Sequence, residues 1–440
     1  MGRRKRLPRE PIEFEISDLS HDGRGVGRHN DKVVFIQNAL PGEKVMAVLS
    51  RRTRHFDEAV AVEVLNPSEN RVAARCQFYD NCNGCTMMHL EPQQQILFKA
   101  NTLAQNFKKM AGVSPQNWLP PLHHVHWNYR RRARLSVRWV MGKERVLVGF
   151  REKNGRYVAD MTNCEVLVEP LADLIQPLSN LFTSMDARAE IPQVECSAGD
   201  AAISLIIRHM KPLSAGDMER LIAFEQHYEL QIYLQSKGPD TIRPLNQTQD
   251  PLYFSMMDEA LKMEFLPNDF IQVNKHMNEK MIGQALQLLD LSTDDVVLDL
   301  FCGLGNFTLP MASQVSKVVG VEGDAGLIER ARHNAEINQL QNVEFHCADL
   351  TQDHSKSDWF DQQYTKVLID PPRSGAWDIL PLIAATGAET LVYVSCHPAS
   401  LARDAEQLVN ELGYQLVSAG VMDMFPHTSH VESMALFTKV

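Results

Sequence analysis

From Phe270 to the end of the chain, apolar strand-like runs alternate with helical stretches. That alternation restricts the fold more than any other feature, because strands separated by helices pack as a parallel sheet covered on both faces. The run DDVVLDLFCGLGNFTLPMA (Asp294 to Ala312) reads as a buried strand, a glycine turn and a helix start. Gly303 and Gly305 let the backbone approach a ligand closely. Three strand ends follow, each with a carboxylate: Glu322 in VSKVVGVEGD, Asp349 in VEFHCADL and Asp370 in KVLIDPPRSG. Ligands of open α/β sheets bind at these carboxyl ends, and Pro371 and Pro372 stiffen the exit behind Asp370.

A lone G-x-G admits a dinucleotide and hence a dehydrogenase. Phe307, however, stands near where the third glycine of the pyrophosphate fingerprint belongs. S-adenosylmethionine has no phosphate to cradle and fits the turn better. One strand further on, LVYVSCHPAS (Leu391 to Ser400) puts Cys396 where a strand hands over to a helix. A lone strand-end cysteine is more often a core filler, but beside a cofactor sheet a nucleophile is the stronger reading. Carbon 5 of uracil is too weakly nucleophilic to take a sulfonium methyl directly, whereas a thiolate added at carbon 6 makes it enolate-like. The helix beginning at Pro398 is expected to lower the thiol pKa through its N-terminal dipole. A cytosine methyltransferase would need a cysteine at the Asp-Pro turn. Here Arg373 follows the second proline, which favours uracil.

A second group of thiols lies in RCQFYDNCNGCTMMH, where Cys76, Cys82 and Cys85 are spaced C-x5-C-x2-C, with Cys164 following in MTNCEVL. Zinc and an iron-sulfur cluster both accept four thiolates, and spacing leaves the choice open. Cys196, Cys302 and Cys347 read as packing residues.

The net charge of −11 conceals a division along the chain. Residues 1–156 carry 27 Lys and Arg against 15 Asp and Glu, a net +12; the remainder carries 17 against 40, a net −23. Asn128 to Arg156 holds ten basic and two acidic residues interleaved with Tyr129, Trp139 and Phe150. Such a stretch suits phosphates and splayed bases, with a solvated strand face as the bland alternative. A chain of 440 residues is too long for one core. Short β-type runs from Pro11 to Arg71 predict a five-strand barrel of OB type. Mixed segments follow from Arg75 to about Asp269, with a helix at Pro92 to Met110. No apolar run reaches the length of a membrane span, and the basic N-terminus leads into no apolar signal, so a cytoplasmic location is expected.

The stretches LDLFCGLGNFTLP, LIDPPRSG, VSCHPASLARD and HTSHVESMALF together resemble the RNA uracil-5-methyltransferases, over essentially the whole chain. The resemblance implies a Rossmann-like α/β S-adenosylmethionine-dependent methyltransferase domain (92–124 and 269–440). It also implies a TRAM-type barrel (10–71) and a central mixed α+β domain (75–91 and 125–268) that carries a [4Fe-4S] cluster on Cys76, Cys82, Cys85 and Cys164. Cys396 is implied as nucleophile and Glu432 as the base that removes the carbon 5 proton. Gln272, Phe301, Asn306, Glu322, Asp349 and Asp370 are implied as cofactor contacts. Barrel and cysteine cluster together look like the branch acting on bacterial 23S rRNA. A transfer-RNA enzyme and an inactive RNA-binding iron-sulfur protein are the alternatives. No protein partner is indicated, and the helix at Pro92 is expected to pack on the C-terminal sheet.

Overall fold

The computed structural model describes residues 10–153, 155–247 and 250–440. Its largest sheet has eight strands in the order Val343–Cys347, Lys317–Glu322, Val296–Leu300, Lys366–Ile369, Thr390–Ser395, Glu432–Lys439, Tyr414–Met422, Asn117–Trp118. Every neighbouring pair is parallel except those made by Glu432–Lys439, which runs against both its neighbours. The doubly wound sheet expected from the sequence therefore contains one reversed strand, made by the hairpin-like return after Tyr414–Met422.

Both faces of this sheet are covered, and the strand period of two distributes residues between them. Val392 and Val394 pack with Met277, Met281 and Ile282 of the helix Lys275–Leu289 and with the hairpin Leu252–Met256/Leu261–Phe265. Leu391 and Tyr393 pack with Leu401 and Leu408 of the helix Pro398–Asn410, and with Ile96 and Leu103 of the helix Pro92–Asn106. Pro92 occupies the first turn, where its missing N–H costs nothing, and the Glu91 carboxylate accepts from the Gln94 N–H at 3.1 Å. The helix runs on into Phe107–Ala111 and is stopped by Gly112 at φ +64°.

A second sheet holds Arg243–Pro244, Gln231–Gln235, Ile203–Arg208, Gln193–Ala198, Arg132–Val140 and Arg145–Gly149. The helices Ile175–Ser184 and Ala215–His227 lay Leu178, Phe182 and Leu221 on Leu135, Val194 and Leu205. The N-terminal barrel has six strands where five were expected, the extra one being the two-residue Asp18–Leu19. Phe14, Val34, Ile36, Val45 and Ala47 fill it. Arg71 ties the connector to the barrel by donating to both oxygens of the buried Glu43, at 2.5 and 2.7 Å, and to the Asn38 carbonyl. Among the described residues no helix is long and apolar enough to cross a membrane.

Candidate active site

The glycine turn is built at the end of the central strand Val296–Leu300. Phe301 takes φ +64°, an unusual conformation for a bulky residue, and is held there by its N–H on the Val321 carbonyl at 2.9 Å. Gly305, at φ +92°, sits so close to Leu309 that a Cβ would lie 3.1 Å from its Cγ. The turn folds against the next strand end: the Gly303 N–H donates to Glu322 Oε2 at 3.3 Å, and the Asp324 N–H donates to Oε1 at 3.1 Å. Asn306 exchanges amide hydrogen bonds with Asn278 at 2.8 and 3.0 Å, which fixes its side chain beside the turn.

These residues face a cavity of about 740 Å³. Gln272, Phe301, Asn306, Glu322, Asp370, Cys396 and Glu432 all line it. Asp349 does not. It is exposed at the end of Val343–Cys347 and accepts from the Thr351 hydroxyl at 2.7 Å. The volume lies in the range of ligand pockets for small molecules and cofactors.

Strand register accounts for the pairing of Cys396 with Glu432. Ser395 stands opposite Ser433 in the antiparallel ladder, so Cys396, one residue past its strand, and Glu432, the first residue of the reversed strand, meet at the end of the ladder. Burial raises all three groups, and the carboxylates add to it at Glu432 and Cys396. Burial pushes Asp370 up to about 7, with no protein donor among the described residues to oppose it. Burial and then the Asp370 charge push Glu432 up to about 8, opposed by Lys99 and Arg373. For Cys396, burial followed by Glu432 and Asp370 push the thiol up to about 11, with Arg373 opposing. This corrects the expectation of a low-pKa thiolate. The first turn of Pro398–Asn410 is capped by the His397 side chain, which accepts from the Ser400 N–H at 3.3 Å, and its dipole is outweighed by desolvation and two carboxylates.

The basic stretch is also corrected. Arg131 is 4% exposed: its Nε donates to the Gln272 carbonyl at 2.9 Å and its guanidinium lies 4.2 Å from the centre of the Phe254 ring. Arg132 and Arg134 pair with Glu195, and Arg130 lines the cavity. Only part of Arg130 to Arg138 is thus available as a basic surface. Residues that sequence reasoning did not place at the cavity include Phe270, Thr428 and His430. Phe270, exposed in the structure, carried no signal in the sequence, whereas Thr428 and His430 lie in the HTSHVES motif.

Cys76, Cys82, Cys85 and Cys164 surround a second, much smaller cavity of about 20 Å³, and none forms a disulfide. Burial raises all four thiols, Cys82 to about 11. Among the described residues no group of three or more His, Cys, Asp or Glu converges as the ligands of one metal ion do. Gly84 and Arg130 line both cavities and form a shared wall. Cys196 and Cys302 are buried, but Cys347 is exposed rather than packed.

A solved structure, the tRNA (uracil-54, C5)-methyltransferase of Pyrococcus abyssi in complex with S-adenosyl-L-homocysteine, shares the fold at a TM-score of 0.74. It covers 97% of this chain and 99% of its own, at 23% identity. The fold is that of the S-adenosylmethionine-dependent methyltransferases. A family model described as tRNA (Uracil-5-)-methyltransferase matches residues 91–440, and a TRAM domain matches residues 5–62. Curated relatives include the 23S rRNA (uracil(1939)-C(5))-methyltransferase RlmD of Xanthomonas campestris pv. campestris strain 8004, 52% identical over 99% of both chains. Its namesake in Stenotrophomonas maltophilia strain R551-3 is 51% identical over the same shares. The chain belongs to the RNA uracil-5-methyltransferase family and is an S-adenosylmethionine-dependent enzyme of that kind.

Proposed function

We propose that this protein methylates carbon 5 of one uridine in 23S rRNA, with Cys396 as nucleophile and Glu432 as base. The observation that carries the reading is the Ser395–Ser433 register, which presents thiol and carboxylate side by side to the cavity that Asp370 also faces. Identity of 52% over nearly the full length to an enzyme named for 23S rRNA supports the substrate. S-adenosylmethionine supplies an electrophilic methyl group on a sulfonium centre. Glu322, Asn306, Gln272 and Phe301 suit its binding: a carboxylate pinned for ribose hydroxyls, two amides and an aromatic wall.

Cys396 is a neutral thiol in the free protein, so its proton must leave as the base enters; Asp370, with a raised proton affinity, is the acceptor at hand, and Glu432 stays available for the later step. The thiolate adds to carbon 6 of a uridine extruded from its stack, and the electron pair moves to carbon 5, where the methyl is received. Glu432 in its ionised form then takes the carbon 5 proton, the double bond re-forms and the carbon–sulfur bond breaks. The barrel and the exposed arginines Arg134 and Arg138 are assigned to the RNA.

Four unbridged, buried thiols lining one cavity are a donor set that zinc and a [4Fe-4S] cluster both accept, and the family resemblance favours the cluster. Cys76, Cys82, Cys85 and Cys164 are assigned to hold it. The domain limits given above and a cytoplasmic location belong to the same reading. The test is methyl transfer from labelled S-adenosylmethionine to unmodified 23S and transfer RNA transcripts, each digested to nucleosides. Labelled 5-methyluridine from 23S alone supports the assignment; label in transfer RNA, or in neither, overturns the substrate.

A further inference from the structure

We propose that Lys99 is a positioning residue for Glu432: an ammonium delivered by the helix Pro92–Asn106 fixes the loop that leads into Glu432 and supplies its carboxylate with a counter-charge. The inference rests on the reading of Glu432 as the base.

Lys99 lies on the face of its helix that also carries Ile96 and Leu103, and all three are fully or almost fully buried. An alanine or leucine would satisfy that packing, whereas a buried ammonium pays for desolvation unless it is hydrogen-bonded and paired. Both conditions are met by one loop. The Lys99 Nζ donates to Asp423 Oδ1 at 2.6 Å and to the Phe425 carbonyl at 3.0 Å. Asp423 follows directly on the strand Tyr414–Met422; Phe425, Thr428 and His430 line the cavity; and Glu432 opens the reversed strand. The loop is gripped elsewhere by neutral groups. The Thr86 and Met87 N–H groups donate to the His427 carbonyl, both at 2.9 Å, Gln95 Oε1 accepts from the His427 N–H at 2.8 Å, and the Tyr129 hydroxyl donates to the Pro426 carbonyl at 3.1 Å.

Two cations both touch the loop and act on Glu432 by charge: Lys99 from the interior and Arg373, through His430, from the cavity edge. The charges that bear on Glu432 are Asp370, which disfavours its ionised form, and Lys99 and Arg373, which favour it. The Cys396 thiol is its remaining titratable neighbour across the ladder. Arg373 is exposed at the cavity edge, 3.4 Å from His430 Nδ1, where solvent and RNA phosphates screen it. Lys99 is sealed in the interior, away from that screening; burial lowers its proton affinity, and Asp423 and then Glu432 act to keep it charged. On the loop side it faces Asp423, whose other oxygen lies 3.9 Å from His126 Nδ1.

The experiment measures, against pH, the rate at which the protein–RNA adduct resolves to product in single turnover. It compares wild type, Lys99→Arg, Lys99→Gln, the pair Lys99→Met with Asp423→Asn, and Glu432→Gln. Lys99→Gln keeps a donor for the Phe425 carbonyl, and the pair leaves no lone buried carboxylate, so loss of charge is separated from loss of fold. Elimination needs Glu432 ionised, so its rate climbs with pH, and removing a nearby positive charge moves that climb to higher pH. The expected result is a shift of about one pH unit or more in Lys99→Gln, and a smaller one in the same direction in the pair, which removes the Asp423 charge together with the ammonium. Lys99→Arg should lie near wild type, and the KM for S-adenosylmethionine should stay within about twofold throughout. An unmoved climb in Lys99→Gln and the pair overturns the inference while the base assignment stands. Failure of Glu432→Gln to accumulate adduct removes the base assignment itself, and the inference with it.

Discussion

Two thiol sites share one wall in this protein and differ in what surrounds the sulfur. At Cys396 the neighbours after burial are two carboxylates, Glu432 and Asp370, with Arg373 in opposition. At Cys85 the neighbours after burial are three more thiols, Cys164, Cys82 and Cys76. Burial raises the proton affinity at both, so burial does not distinguish a nucleophile from a ligand. The partners do. Cys396 has groups beside it able to take a single proton within a reaction cycle, and its cavity is large enough for cofactor and base. Around the four-thiol pocket one carboxylate, Glu165, stands beside Cys76, and the titratable neighbours of Cys85 are further thiols and Arg130, the thiols being the donor set that the proposed cluster would use.

Cys396→Ala should break the comparison most severely. Methyl transfer is expected to fall below detection while RNA affinity, measured by filter binding, changes by less than about threefold. Next in size, Glu432→Gln should reduce turnover by about 10²–10⁴-fold and accumulate a covalent protein–RNA species that survives denaturing electrophoresis. Loss of methylation with no such species would count against the base.

At the other site, Cys82→Ser should remove iron and acid-labile sulfide from the purified protein and lower its melting temperature by several degrees. Zinc in place of iron in the wild type would redirect the ligand assignment. A smaller effect concerns pH. Asp370 and Glu432 have folded-state pKa values raised to about 7 and 8. Between their unfolded values, near 4, and these, the unfolded chain binds fewer protons, so both groups reduce stability as pH rises through that window. Glu432→Gln should therefore melt higher than wild type at pH 8.5 and no higher at pH 4, by differential scanning fluorimetry without cofactor. Smallest of all, Cys347→Ser, at an exposed cysteine belonging to neither site, should leave activity, iron content and melting within error.

The nucleotide-type turn was legible because its constraints are local: a buried strand, two glycines at positive φ and carboxylates at strand ends are all written within short segments. Cys396 was legible for the same reason, standing one residue past a strand. The relation of Glu432 to Cys396 depends on a reversed strand, and nothing in the apolar run SMALF states its direction; only the motif resemblance singled out Glu432. Asp349 also stands at a strand end, on the edge strand next to that of Glu322, and is exposed outside the lining of the cavity. Misreading the basic stretch had a related cause. Composition reports charge but not the alternation that sends Arg131 inward under Phe254. The pKa of Cys396 was misjudged because the helix terminus is visible in sequence and the two opposing carboxylates, supplied from distant strands, are not.

The bond between Lys99 and Asp423 spans 324 residues, and that separation has a consequence for synthesis. At about 5–20 residues per second, the helix Pro92–Asn106 leaves the ribosome roughly 15–65 s before the strands it covers. Throughout that interval Ile96, Leu103 and Phe107 lack the late strands that they pack against in the folded chain. The eight-stranded sheet can be completed only once Glu432–Lys439 has left the ribosome, so a nascent chain cut short of that strand would carry Cys396 without the carboxylate set opposite it.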